Sequence, residues 1–260
     1  MRRVNIMGAI KVMSFNMRTQ VKEDGVNQFR ARKDRILSML EQEDPDIIGF
    51  QEVTDEMRAW LRMALGGKYT VIGCGRMEDY TGESVAIALR NGDFELISLI
   101  PFWLSDTPDV PGSRYEDAEQ SRWPRISVFA TVKHIDTDEP FCVLNTHLDH
   151  MGARARYLGM KQNAEYISKE KNAFIYMGDM NASPEKPEIK VFFEVAGAGA
   201  VEATAELGGT FHDFGRRENK SKIDYIFTNG KSHDAYIVSD EGADGLYYSD
   251  HHAVCATIEF

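Results

Sequence analysis

A chain of 260 residues with 43% hydrophobic side chains is long enough to bury a sizeable core, which excludes disorder as the default state. Its formal net charge of −11 argues against tight nonspecific binding along a polynucleotide, which needs many cationic side chains, although a bound divalent metal or a local arginine cluster can reverse the field in one cleft. No segment approaches the roughly 20 apolar residues that cross a bilayer, and the basic opening MRRVNIMGAI turns polar at Lys11 and Ser14, so a cytoplasmic protein without an export signal is expected.

Alternation over Ile10 to Phe15 predicts a strand closing at Asn16, and Phe29, Ile36, Leu37 and Leu40 at helical spacing predict a helix over Phe29 to Glu43. The apolar run Asp46 to Phe50 ends at Gln51 and Glu52. Thr54, followed by Asp55 and Glu56, has the form of an N-cap with acidic residues in the first helical turn. Strands are expected at Tyr69 to Gly73, Ser84 to Arg90, Phe94 to Ile100, Ile126 to Lys133 and Phe141 to Leu148, then a helix over Ala153 to Lys169. Phe174 to Met177, Ile223 to Phe227, Ala235 to Val238 and Ala253 to Ile258 complete the strands. Hairpin-like neighbours coexist with strand-helix-strand units, so an α/β fold with mixed sheets is favoured. No repeat or low-complexity linker interrupts the chain, and one domain over residues 1–260 is the simplest organisation. The aperiodic stretch from Trp103 to Trp123 has the length of a functional loop. Cys74, Cys142 and Cys255 are odd in number and lack C-x-x-C spacing, which predicts thiols rather than metal ligands.

Polar residues recur where apolar runs end: Asn16 in KVMSFN, Glu52 in DIIGFQE, Asn145 and His147 in VLNTHLDH, Asp179 and Asn181 in FIYMGDMN, Asp224 in KIDYIF, Asp250 and His251 in YSDHHAV. One such residue serves more often as a strand-end turn group satisfying local backbone. The set is what carries chemistry. Period two puts Asn145 and His147 on one side of their strand, and Asp179 and Asn181 on one side of theirs, so that each pair can face a common cleft. Asn16, Glu52 and Asp250 offer the oxygen ligands that a hard divalent cation prefers, whereas no H-E-x-x-H or C-x-x-C spacing supports zinc. Asp179 suits removal of a proton from water, Asn145 and Asn181 suit donation to phosphate oxygens, and two imidazoles suit charge developing on phosphorus oxygens.

The ordered series SFN, GFQE, NTHLDH, GDMN, KIDYIF and SDHHAV resembles the endonuclease/exonuclease/phosphatase superfamily over almost the whole chain, from Asn16 to His251. The resemblance implies a four-layer α/β sandwich of two mostly antiparallel sheets packed face to face, with helices outside and the site at one end. It implies that Asn16 and Glu52 bind or position the metal, that His147 contacts the scissile phosphate, that Asp179 and Asn181 activate and place the attacking water, and that Asp250 and His251 form a terminal pair with Asp224 orienting His251. Glu83 is expected to orient His147, and Arg125 to bind a phosphate oxygen; a strand-start carboxylate and a surface salt bridge are the blander readings of these two. His150 and His212 are candidates for the substrate side of the cleft, and Trp103 and Trp123 for stacking on a base or sugar, or for anchoring the loop.

The implied reaction is hydrolysis of a phosphate ester with one Mg2+, Mn2+ serving as a substitute, and with Asp179 as base and His251 as the alternative. A phosphodiesterase or nuclease acting on nucleic acid or nucleotide is the first expectation. A phosphatase for a small phosphorylated metabolite or lipid headgroup is the second, and a binding module without catalysis the third, which retention of the whole residue set disfavours. No obligate protein partner is evident.

Overall fold

The computed structural model describes residues 8–170, 172–238 and 246–260, so the first seven residues of the opening read for an export signal lie outside it. Strand β1 (Ile10–Asn16) leads through a short 3-10 turn (Lys22–Asn27) into α1 (Phe29–Glu43), which has the expected bounds. After α1 the chain reverses at Asp44, a residue type that tolerates the left-handed region it occupies at φ 48°. Strand β2 (Ile47–Val53) precedes α2 (Asp55–Leu65), whose first turn is capped as expected by Thr54 Oγ1, which accepts from Met57 N at 3.4 Å. Two hairpin-linked strands, β3 (Tyr69–Ile72) and β4 (Ser84–Arg90), are followed by β5 (Phe94–Trp103), β6 (Ile126–His134) and β7 (Pro140–His147). Helix α3 (Ala153–Lys169), β8 (Ala173–Asp179), α4 (Pro187–Ala196), β9 (Val201–Glu202), β10 (Asp224–Thr228), β11 (Lys231–Ile237) and β12 (Val254–Glu259) complete the chain.

The strands form two six-stranded sheets, ordered β11-β12-β1-β2-β4-β3 and β5-β6-β7-β8-β10-β9. Among the described residues only β1 with β2 and β7 with β8 pair in parallel, so both sheets are mixed and mostly antiparallel. Three apolar layers explain why so many strands read as continuous hydrophobic runs. Ile10, Val12, Ile47, Ile87, Val128, Val143, Ile175, Met177, Ile226 and Val254 fill the space between the sheets. Alternate residues face outward: Met13, Phe15, Ile48 and Phe50 pack under α1 and α2, while Cys142, Leu144, Phe174 and Tyr176 pack under α3 and α4. Both faces of each sheet are thus covered, giving the four-layer α/β sandwich.

Close approach of the sheets needs Gly49: a Cβ there would fall 2.6 Å from the sulfur of Met177 on the opposite sheet. Helix α4 and the two-residue β9 are absent from the sequence expectation. Pro187 at the first helical position and Glu188 beside it were start signals, but the β-branched and aromatic run that follows fits a strand as well as a helix. In β11, a bulge between His233 and Tyr236 breaks the alternation and hides the first half of the strand.

Candidate active site

The space between the sheets opens at one end, where β1, β2, β7 and β8 terminate and β10 and β12 begin. There a cavity of about 550 Å3 is lined by Glu52, His147, Asp179, Asn181, Asp250 and His251, with Arg18, Arg76, Arg125 and Arg217 around them. A chain of net charge −11 therefore gathers four guanidinium groups about a single opening.

Strand parity explains how most of these side chains arrive. Val12, Ser14 and Asn16 share a face of β1; Val143, Asn145 and His147 share a face of β7; Ile175, Met177 and Asp179 share a face of β8; Asp224 lies two residues from Ile226. All these faces look into the inter-sheet space, and the last residues of β1, β7 and β8 and the first of β10 reach its mouth. Glu52 breaks the pattern. Two residues beyond Phe50, it should lie under the helices, but β2 carries a bulge between Phe50 and Val53, and Glu52 itself adopts φ 59°. The irregularity turns the carboxylate into the cavity, an instance of backbone strain held at a site by its surroundings.

Asp179 is the hub. Its Oδ2 accepts from Asn16 Nδ2 at 2.9 Å and lies 3.6 Å from His147 Nε2 and 3.8 Å from His251 Nε2, while its Oδ1 accepts from Asn181 N at 2.9 Å. Asn16 also donates to Glu52 Oε1 at 3.2 Å, and its own oxygen accepts from Arg18 N at 2.9 Å. It thereby ties Glu52 to Asp179 across the sheets, while the carboxylates of Glu52 and Asp250 face the cavity. His251 Nδ1 lies 2.9 Å from Asp224 Oδ2, whose carboxylate is fully buried; Lys222 pairs with Glu202 and not with Asp224.

These placements displace the protonation equilibria. Burial, then the Asp224 charge, push Asp179 up to about 7. Burial opposes protonation of His251, but Asp224, Asp179 and Asp250 overcome it and raise it to about 10. Burial and the neighbouring Arg125 and Arg76 hold His147 well below the usual imidazole range. Burial opposes ionisation of Glu52, yet the Thr19 N–H bond at 2.7 Å and the charges of His251 and Arg18 keep it below the usual carboxylate range. Asp250 is raised, chiefly by burial and also by Glu52.

Asp179, Asp224 and His251 bring one ligand atom each within 4.8 Å of one another. Because the short Asp224–His251 bond occupies one atom of each, this cluster behaves as an oriented imidazole beside a carboxylate. Glu52 and Asp250 could also hold a cation. They are carboxylates that both face the cavity, the charge of Glu52 adds to the load on Asp250, and their oxygen chemistry suits a hard divalent ion.

Several expectations need correction. Asn145 shares a face with His147, as period two required, but that face lies between the sheets and opens only at its end. Asn145 is fully buried; its Nδ2 donates to Phe50 O at 2.9 Å and Ala86 O at 2.8 Å, and its Oδ1 accepts from Gln51 Nε2 at 2.8 Å, leaving no N–H for a substrate. Glu83 pairs with Arg76 at 2.8 Å and not with His147. His212 does not line the cavity; it packs 4.2 Å from His252 and 4.9 Å from Tyr247. Trp103 is a buried anchor donating to Arg76 O at 2.6 Å, whereas Trp123 and His150 do reach the cavity. Arg125 also reaches it, with Nε 3.4 Å from Asp149 Oδ2 and Nη2 2.8 Å from His150 Nδ1.

Arg18, Arg76, Arg217 and Asp149 were not anticipated. Arg18 is held by Asp24 at 3.0 Å and Asp250 at 3.4 Å. Asp149 accepts from the backbone N–H groups of Ser121, Met151 and Gly152 and from Ser121 Oγ, pinning the loop between β5 and β6 to the end of β7. Burial opposes its ionisation, but these donors and Arg125 depress it to about 2. Its place in NTHLDH was the one signal available.

Residues 13–251 match the sequence profile of the Endonuclease/Exonuclease/phosphatase family. The fold superposes on an endonuclease/exonuclease/phosphatase from Bacteroides vulgatus with a TM-score of 0.89 at 28% identity, covering 98% of this chain and 100% of that one. It superposes on a mannosyl-6-phosphatase from Bacteroides thetaiotaomicron VPI-5482 with a TM-score of 0.83 at 29% identity, covering 96% and 99%. A stretch of 129 residues is 29% identical to the uncharacterized protein L388 of Acanthamoeba polyphaga mimivirus; the match covers 48% of this chain and 47% of that protein, so it spans about half the length of that relative. No helix among the described residues is long and apolar enough to cross a membrane. With the profile matched over nearly its full length and the fold shared end to end, the chain belongs to the Endonuclease/Exonuclease/phosphatase family of phosphoesterases.

Proposed function

We propose that this chain is a divalent-metal-dependent phosphatase that hydrolyses small phosphorylated molecules. The observation that carries the reading is the convergence on Asp179: one carboxylate oxygen faces Asn16 and two imidazoles at the floor of a cavity ringed by arginines. Three features favour a small monoester over a polynucleotide: the confined volume, the strongly acidic chain, and the similarity to a phosphatase whose name specifies a sugar phosphate.

In this reading Glu52 and Asp250 hold the cation, Mg2+ or Mn2+, with Asn16 fixing Glu52. When bound, the ion would polarise a phosphoryl oxygen and neutralise its charge. Asp179 accepts the proton of the attacking water through Oδ2, the oxygen that faces Asn16 and both imidazoles, while Asn181 N holds Oδ1. His251, held by Asp224, and His147 stand on either side to stabilise oxygens that gain charge, and Asn181 fixes the Asp179 rotamer. Arg125 and Arg76, paired with Asp149 and Glu83, line the cavity and offer N–H donors to the phosphate.

The test is turnover of sugar phosphates, nucleotides and matched mono- and bis-nitrophenyl phosphates with Mg2+, with Mn2+ and with excess chelator. Activity should require the metal, favour monoesters, and fall at least ~100-fold in Asp179→Asn, the lower end expected for losing a positioned general base. Turnover undiminished by chelator would sink the metal assignment, and a tenfold preference for diesters would return the chain to the phosphodiesterase class.

A further inference from the structure

Of the four guanidinium groups at the cavity, three are already neutralised. Arg18 pairs with Asp24 and Asp250, Arg76 with Glu83, and Arg125 with Asp149. Among the described residues no carboxylate pairs with Arg217. Its guanidinium carbon instead lies 4.5 Å from the centre of the Phe211 ring, and that ring lies 4.8 Å from the ring of His251. Arg217 therefore stands one aromatic ring away from an imidazole that faces the reacting centre. Its platform is fixed, because Phe211 makes backbone bridges to both Ser221 and His251, and Phe211 N donates to Ser221 O at 2.9 Å. Arg217 N is itself anchored on His212 O at 3.2 Å. The same cavity is lined by Trp123, whose ring lies 5.1 Å from the Arg76 guanidinium and 4.5 Å from that of Arg122.

Resting on the phosphatase reading above, we infer that Arg217 is a specificity-determining residue that binds a second anionic group of the substrate, about one sugar ring beyond the ester being cleaved. The substrate class is then a small phosphorylated molecule that also carries a second phosphate or a carboxylate. Either group accepts the paired N–H bonds of a guanidinium, and an arginine with no carboxylate of its own keeps that fork available. A monophosphate with a neutral far end would occupy the reacting centre and leave this charge unused.

The experiment compares a hexose monophosphate, its bisphosphate and the corresponding phosphorylated aldonate, with wild type, Arg217→Ala and Arg217→Lys, in saturating Mg2+. Wild type should prefer at least one doubly anionic substrate over the monophosphate by about tenfold or more in kcat/KM, expressed in KM, and the better of the two identifies the anion as phosphate or carboxylate. Arg217→Ala should reduce that preference toward one, and Arg217→Lys should restore part of it, since a point charge lacks the fork. The same ratios are measured by calorimetric binding to the Asp179→Asn protein, so they can be read even without turnover. If wild type cleaves none of these substrates but the binding preference is present and depends on Arg217, the phosphatase reading fails and the anion subsite stands. Equal affinity for singly and doubly anionic ligands, or a preference that survives in Arg217→Ala, overturns the inference and leaves Arg217 a solvated surface residue.

Discussion

Replacing Asn145 by alanine should damage the fold and leave substrate affinity close to wild type, the reverse of what its position in NTHLDH suggested. Its amide bonds to Phe50 O, Ala86 O and Gln51 Nε2 at 2.8–2.9 Å, in a layer where nearly every neighbour is apolar. Truncation strands two carbonyls on the β2 and β4 side and leaves Gln51 Nε2 with only its weaker bonds to Ser14 Oγ and Gly49 O. At roughly 1–3 kcal/mol for a buried polar group left without its partner, less whatever water or local shifts recover, the loss is about 3–5 kcal/mol. That is a large share of the roughly 5–15 kcal/mol that holds a domain together, and at 2–4 °C per kcal/mol it lowers the melting midpoint by on the order of 10 °C. Asn145→Asp should do no better than alanine, because a carboxylate would face two carbonyl oxygens with no N–H to give them. The assay is urea unfolding of each variant, followed by KM measured at low temperature on the folded protein. A wild-type unfolding midpoint together with a KM raised tenfold would show that Asn145 touches substrate and that the inter-sheet account is wrong.

Glu52→Asn should relax a backbone held at φ 59° and raise the unfolding free energy by about 1 kcal/mol, while abolishing calorimetric Mg2+ binding and most activity; a less stable variant would refute the strain argument. Asp224→Asn should slow turnover less than His251→Ala, and the double variant should be scarcely slower than His251→Ala alone; additive losses in the rate at saturating substrate would show that the 2.9 Å pair does not act as a unit. Because Asp149 titrates near 2 in the folded chain and near 3.8 when exposed, its ionisation contributes stability above pH 4 that is lost as pH falls through 2. Asp149→Asn should therefore be destabilised by about 1–2 kcal/mol at neutral pH, with the gap to wild type closing between pH 4 and 2 in acid titrations followed by circular dichroism. A gap that stays constant over that range would place the effect in shape and not in charge.

Most strands and three of the helices are legible because each carries an unambiguous period or cap: the Thr54 cap starts α2, and the 3.6-residue pattern of Phe29 to Leu40 gives α1 its bounds. What the pattern hides is anything decided between segments. Alternation puts Asn145 beside His147 but does not say how far along the strand the opposite sheet still covers that face. The bulge that turns Glu52 into the cavity depends on pairing with β4, and the arginines at the mouth lie on connections where no period operates. Strand-end residues with chemical character were therefore readable, whereas Arg18, Arg76 and Arg217 needed three dimensions to meet them. Asp149 sits inside a motif already singled out, yet its work is done on Ser121, some thirty residues earlier.

Asn16 and Glu52 belong to one sheet, and His147, Asp179 and Asp224 to the other; the Asn16–Asp179 bond stitches the two together at the open end. A water and a phosphate placed between these groups are therefore aligned by how one slab registers on its neighbour. The seam between them is almost entirely hydrocarbon, which resists separation but is indifferent to sliding, so the directional contacts through Asn145 and the tight Gly49–Met177 approach act as its dowels. Repacking that seam far below the cavity would misalign the reacting groups without touching them, and turnover would then report the fit between layers more sensitively than a melting curve does.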